Sequence, residues 1–170
     1  MMRRILCLVL VLAALPLLAS LAGCGAGDAG EPDMTKAVDM AGLRDAMLSA
    51  GTFPEMENAG VDDDGAEDDF VYLSDLDYEK VDGYFLSYAA DGASYELAVI
   101  LLKDGADAAA AEASLRDHLE GRINLYKNYS PEDLPRAEEA LVGSNGRYAY
   151  LIMCDDPSSV KNAMTEYIKK

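Results

Sequence analysis

The chain has one histidine, His118, and three cysteines in 170 residues. A single histidine excludes a His-Glu-x-x-His zinc site and leaves a nucleophile few bases to draw on. There is no Cys-x-x-Cys pair, no serine elbow and no phosphate-cradling glycine loop, so those redox, acyl-transfer and nucleotide chemistries have no foothold. Basic residues are also scarce. Fourteen Lys and Arg face 31 Asp and Glu, a formal charge of −17, and such a chain will not track a phosphate backbone, which excludes nucleic acid as a partner. No cofactor and no metal is expected, and the chain does not read as an enzyme. Acids are abundant, so a carboxylate-pair envelope hydrolase stands as a third reading, although no pair stands out from the general acidity.

What is present begins at the N-terminus. Met1-Met2-Arg3-Arg4 is a short positive head, Ile5 to Leu18 is apolar and broken only by Pro16, and Ala19-Ser20-Leu21-Ala22-Gly23 leads to Cys24. A positive head, a short apolar centre and small residues before a cut are the three parts of a secretory signal. The apolar run is shorter than the roughly 20 residues that cross a bilayer, so a permanent span is the weaker reading. Leu21-Ala22-Gly23-Cys24 resembles the lipobox of bacterial lipoproteins. The resemblance implies cleavage between Gly23 and Cys24, a diacylglycerol on the Cys24 thiol with a further acyl chain such as palmitate, and attachment to the extracytoplasmic face of the cell membrane. Two acyl chains hold a protein stably where one is marginal. An ordinary signal with an incidental cysteine is the alternative.

The expected organisation is a signal peptide over 1–23, lipidated Cys24 and a flexible Gly-rich tether over 24–33, and one α+β domain over 34–170. Loss of residues 1–23 removes Arg3 and Arg4 and no acid, which takes the charge from −17 to −19. A chain that acidic is repelled by anionic lipid, so the acyl chains must hold it to the membrane. Cys7 leaves with the signal and Cys24 is acylated. Cys154, in the run Tyr150-Leu151-Ile152-Met153-Cys154, then has no partner in the chain and reads as a small core residue.

Asp39 is placed to cap a helix to about Ala50, with Met40, Leu43, Met47 and Ala50 on one face and Gly51 as its stop. Residues 58–69 are dense in carboxylates. Asp62, Asp64 and Asp68 invite a cation reading, but neither register of a calcium loop puts glycine and ligands at the required places, so a solvated acidic loop is preferred. Phe70 to Leu73 reads as a packed helical turn and Asp77 as the cap of a short turn. Gly83 to Ala90 and Tyr95 to Lys103 form a hairpin, with Tyr84, Leu86 and Tyr88 on one side of the first strand. Leu97 to Leu102 is apolar on both faces, which predicts a central strand.

Asp107 is expected to cap the longest helix, to about Asn128. Its stripe is Ala108, Ala111, Leu115, Leu119, Arg122 and Tyr126. Arg122 interrupts that stripe and needs an acid, and Glu96 on the neighbouring strand is the candidate. The pair is either structural or a ligand-binding polar centre. His118 falls on the stripe's margin and reads as a boundary residue. Pro135 is expected to stop a short turn begun at Ser130-Pro131. A second hairpin turns at Asn145-Gly146, and Asp156-Pro157 opens a last helix carrying Val160, Ala163, Met164, Tyr167 and Ile168. The fold class is α+β: a small antiparallel sheet of about four strands in two hairpins, packed with a long central helix and N- and C-terminal helices.

From about Leu73 to the C-terminus the layout resembles a family of small Gram-positive bacterial lipoproteins that share a domain of unknown function. The residues that carry the likeness are Leu76-Asp77 with Val81, Tyr95-Glu96-Leu97-Ala98-Val99, Arg122, Tyr129-Ser130-Pro131-Glu132, Ala140-Leu141-Val142 and Gly146-Arg147-Tyr148. It implies the fold and the location and no activity. Residues 58–69 look like a local acidic addition. The leading expectation is an accessory or protein-interaction module at the cell envelope, with Tyr84, Tyr88, Tyr148 and Tyr150 either meeting an envelope protein or packing in the core. The alternative is a small-ligand or cation-binding module that uses Glu96 and Arg122 or the acidic loop. A concave polar pocket at Arg122 would favour the alternative, and a flat exposed aromatic patch the first.

Overall fold

The computed structural model describes residues 34–60 and 63–170. The signal, Cys24 and the tether lie outside the described residues, as does Asp62. Among the described residues no helix is long and apolar enough to cross a membrane.

The elements run α1 (Met40–Ser49), β1 (Met56–Gly60), α2 (Ala66–Phe70), β2 (Val81–Ala89), β3 (Glu96–Leu102), α3 (Ala108–Tyr129), α4 (Leu134–Glu138), β4 (Leu141–Asn145), β5 (Tyr148–Met153) and α5 (Pro157–Ile168). The sheet order is β1-β2-β3-β5-β4 with every neighbour antiparallel. Both expected hairpins are there, and β3 is the central strand. The fifth strand, β1, is a correction. Met56-Glu57-Asn58-Ala59-Gly60 has no β-branched residue and little alternation, so nothing local announces a strand. It forms because β2 offers it a ladder, from Met56 opposite Ala89 to Gly60 opposite Phe85. The acidic stretch is therefore not one loop. It begins in β1 and ends in α2, whose first turn carries Glu67, Asp68 and Asp69, where the helix dipole favours acids.

Period-two alternation sends the sheet's side chains into two cores. On one face Phe85, Leu97, Val99, Leu101, Tyr148, Tyr150 and Ile152 pack with Met40, Leu43 and Met47 of α1 and with Val160, Met164 and Ile168 of α5. Each of these side chains contributes about 1.5–3 kcal/mol on full burial. On the other face Tyr84, Ala98, Ile100, Leu102, Ala149 and Leu151 meet Ala108, Ala111 and Leu115 of α3 and Phe70 of α2. Alanines at 98 and 149 leave room for the α3 backbone to approach. Cys154 is buried in the first core, and burial pushes its thiol pKa up, which suits an inert packing residue.

Caps and turns refine the sequence reading. Asp39 caps α1, accepting from Gly42 N at 2.8 Å, and Asp156 caps α5, accepting from Ser159 N at 3.1 Å. Asp107 makes no cap. A 3-10 turn, Gly105–Asp107, precedes α3 and is capped by Asp104, while Asp107 accepts from Lys80 Nζ at 2.8 Å. Pro135 does not stop a helix either. It sits in the first turn of α4, where its missing N–H costs nothing. In the second hairpin Asn145 pairs with Tyr148, so the turn is Gly146-Arg147, one residue later than expected. Gly146 has φ +57°, and a Cβ there would lie 2.4 Å from Met34 O. Glycine lets the turn approach that segment, and Arg147 N donates to Met34 O at 2.9 Å.

Candidate binding groove

Glu96 opens β3 on the face that α3 covers, in the same row as Ala98, Ile100 and Leu102. Its antiparallel neighbours are Tyr88 on β2 and Met153 on β5. The side chain is 3% exposed, so its carboxylate needs partners. Both come from α3, one turn apart on the same helix face. His118 Nε2 donates to Glu96 Oε1 at 2.5 Å, and Arg122 Nε lies 3.1 Å from Glu96 Oε2. The structure thus brings together the two residues expected to pair. The Arg122 N–H is not aligned on the oxygen, and Nε is buried without a hydrogen bond among the described residues. The contact is an ion pair rather than a bonded fork. Arg122 Nη2 donates instead to Tyr126 Oη at 2.5 Å, with the guanidinium 5.0 Å from the Tyr126 ring centroid. Burial raises the Tyr126 pKa, and the Arg122 charge opposes that rise.

His118 is the residue that the sequence reading undervalued. Spacing alone puts it on the margin of the apolar stripe, and in the fold it holds one oxygen of the buried carboxylate. The available signal was spacing: four residues before Arg122 on one helix face, His118 must reach whatever Arg122 reaches. A carboxylate partner requires an N–H at Nε2, and in the neutral ring that leaves Nδ1 as a lone-pair acceptor. Among the described residues nothing hydrogen-bonds Nδ1 or Arg122 Nη1.

The centre opens into a groove because α3 lies over β5 and β4, reaches Glu96 of β3 through His118 and Arg122, and leaves β2 and β1 partly uncovered. A depression of about 210 Å³ is lined by Glu96, His118, Arg122, Leu86, Tyr88 and Tyr72. Two more adjoin it. One of about 230 Å³ runs along α3 past His118 to Ser114 and Ser74, and one of about 280 Å³ runs over Leu86 and Tyr88 to Asn58 and Ala59 of β1. Tyr72 lines all three and is 77% exposed. The expected helical turn Phe70 to Leu73 splits at this point: Phe70 and Leu73 are buried, while Val71 and Tyr72 face solvent.

That turn is held from both sides. Ser74 Oγ and Ser114 Oγ share a hydrogen bond of 2.8 Å, and Ser114 Oγ also accepts from Asp75 N at 3.0 Å. Tyr84 donates to Ala66 O at 2.7 Å, and its ring meets Phe70 edge-on at 5.0 Å. Tyr88 donates to Glu57 Oε2 at 2.9 Å, which holds its proton and raises its pKa. Tyr84, Tyr148 and Tyr150 are buried, so of the four tyrosines considered for partner contact only Tyr88 reaches a surface. Among the described residues the exposed large apolar side chains are Val71, Tyr72, Leu125 and Tyr129.

The described acids of the stretch are exposed or lie in their own turns. Asp63 caps its own turn, accepting from Gly60 N at 2.7 Å. Asp64 and Asp68 are exposed. Among the described residues no group of three or more His, Cys, Asp or Glu is placed to hold a metal ion.

Comparison with curated proteins and with solved structures gives no match. A family model matches residues 57–154. The match starts well before Leu73, and its bounds take in residues 58–69. It stops ahead of α5. Glu96, His118, Arg122, Tyr72 and Tyr88 all fall inside it. Matched over more than half of its 170 residues, the chain belongs to the family described as a domain of unknown function, DUF4358.

Proposed function

We propose that the protein is a lipid-anchored module on the extracytoplasmic face of the membrane, which binds a small polar ligand in the groove centred on Glu96, His118 and Arg122. One observation carries the binding reading: a carboxylate only 3% exposed sits at the base of an open depression, held by two side chains that each keep an unused polar atom. A purely structural ion pair is better served by full bonding and full coverage. The reading is of a binder without a catalytic step. The lipid anchor rests on Leu21-Ala22-Gly23-Cys24 and the signal before it.

Two experiments test the two halves. In cells, Cys24→Ala is expected to move the protein from the membrane fraction to the soluble fraction, and persistent membrane attachment would remove the anchor from the reading. For binding, thermal unfolding of the full chain in detergent is followed against sugars, amino acids, cell-wall fragments and divalent cations. A ligand at 100 times its dissociation constant adds about 2.7 kcal/mol, a midpoint shift of several degrees. No shift with any class would end the small-ligand reading. A protein partner would then lead, favoured by exposed Leu125 and Tyr129 on α3, and crosslinking on intact cells would identify it.

A further inference from the structure

The unused polar atoms of the groove select among ligand charges. His118 gives its Nε2–H to Glu96, and in the neutral ring Nδ1 then offers a lone pair. Arg122 offers N–H donors at Nη1 and has no lone pair. An acceptor and a donor therefore stand one helical turn apart on the same wall. A carboxylate or phosphate has no hydrogen for Nδ1 and meets the field of a chain with a formal charge of −17. An ammonium ligand faces the guanidinium. A hydroxyl both donates and accepts, and neighbouring hydroxyls on one ring match the two atoms without carrying charge. Two aromatic residues, Tyr72 and Tyr88, and Leu86 of β2 line the same depressions. Aromatic rings with a polar tip pack against surfaces that are apolar on one side and hydroxylated at the edge.

The groove's shape adds length. Its three depressions, about 230, 210 and 280 Å³, are each smaller than the roughly 300–1,000 Å³ of common small-molecule sites. They lie in series around Tyr72, which suits a linear ligand of repeated small units more than one compact molecule.

From this we infer that the groove takes a neutral, polyhydroxylated ligand, a short linear glycan, with its central ring between Tyr72 and the His118–Arg122 wall. The inference rests on the groove being a binding site and adds the class of ligand. His118 accepts a sugar hydroxyl at Nδ1, Arg122 donates to a ring or hydroxyl oxygen, and Tyr72 covers the sugar face.

The single histidine makes the test direct, because the full chain has one imidazole to observe. Nitrogen NMR of that ring is followed during titration with neutral linear trisaccharides of glucose and of N-acetylglucosamine, the two monosaccharides, acetate, phosphate and lysine. The expected result has three parts. The free protein shows the Nε2–H tautomer. A trisaccharide moves the Nδ1 signal and binds about tenfold or more tighter than its monosaccharide. Tyr72→Ala weakens that binding about tenfold, while Tyr72→Phe retains it. Tyr72 is 77% exposed, so neither substitution threatens the fold. Movement of Nδ1 by acetate, phosphate or lysine, with none by any sugar, would overturn the glycan assignment and leave the binding reading standing. Silence of the ring toward every probe would also overturn it, and the broader unfolding screen would then decide the binding reading separately. Sugar binding that Tyr72→Ala leaves unchanged would overturn the proposed seat.

Discussion

Glu96→Ala is expected to destabilise the domain by about 3 kcal/mol, at the lower end of the roughly 3–5 kcal/mol for breaking a buried ion pair. The loss comes less from the attraction removed than from what remains. Arg122 Nε, already without a hydrogen bond, would lose its carboxylate partner, and the His118 Nε2–H would lose its acceptor. Arg122 is 26% exposed in its side chain, so it can relax toward water, which holds the cost to the lower figure. At roughly 3 °C per kcal/mol for a domain of this size, the midpoint falls by about 10 °C. The double replacement Glu96→Met with Arg122→Met should recover much of the loss, because no buried charge is then stranded. Thermal unfolding of the wild type, Glu96→Met, Arg122→Met and the double variant measures the coupling. A single-mutant loss under about 0.5 kcal/mol, the scale of an ordinary surface change, would show that the carboxylate is solvated and not the polar centre described.

Leu115→Ala is expected to cost about 2–5 kcal/mol, the range for truncating a buried leucine where the cavity only partly collapses. Leu115 is 0% exposed and packs in the core that includes Ala98, Ile100, Ala149 and Leu151. The alanines beneath α3, Ala98 and Ala149, are too small to swing in and fill the space. The lost contact is also the one that seats the helix carrying His118 and Arg122, so ligand response should fall with stability. Glu120→Ala on the exposed side of α3 should stay within about 0.5 kcal/mol. Denaturant midpoints with an unchanged slope would attribute the difference to stability alone. Equal effects at 115 and 120 would mean that α3 is not docked through its apolar stripe.

Much of the architecture was legible because it is encoded over a few neighbouring residues. The stripes of α1, α3 and α5, the aspartates that cap α1 and α5, and the unbroken apolar run of β3 each carry their own signal. The pairing of Arg122 with Glu96 was legible for a related reason: an arginine inside an apolar stripe demands an acid, and β3 opens on one. The misplaced features share a different origin. Asp107 has a cap's sequence context, but Asp104 three residues earlier supplies the cap and Lys80, distant in sequence, claims the Asp107 carboxylate. Tyr84, Tyr148 and Tyr150 look alike as candidates for contact, yet which tyrosines meet water depends on the elements laid over them.

By itself, the sequence determined the α+β class, the two hairpins, the central strand and the pairing of Arg122, inside the stripe of α3, with Glu96. Each follows from periodicity, capping or burial cost within one element or between two. Tertiary structure alone decided that Met56–Gly60 is a strand, that His118 completes the Glu96 site, and that Tyr72 lines the same depression. β1 exists because β2 has an open edge to pair with, and the groove exists because α3 covers one side of the sheet more fully than the other. Both are properties of surfaces brought together by folding, and no run of adjacent residues carries them.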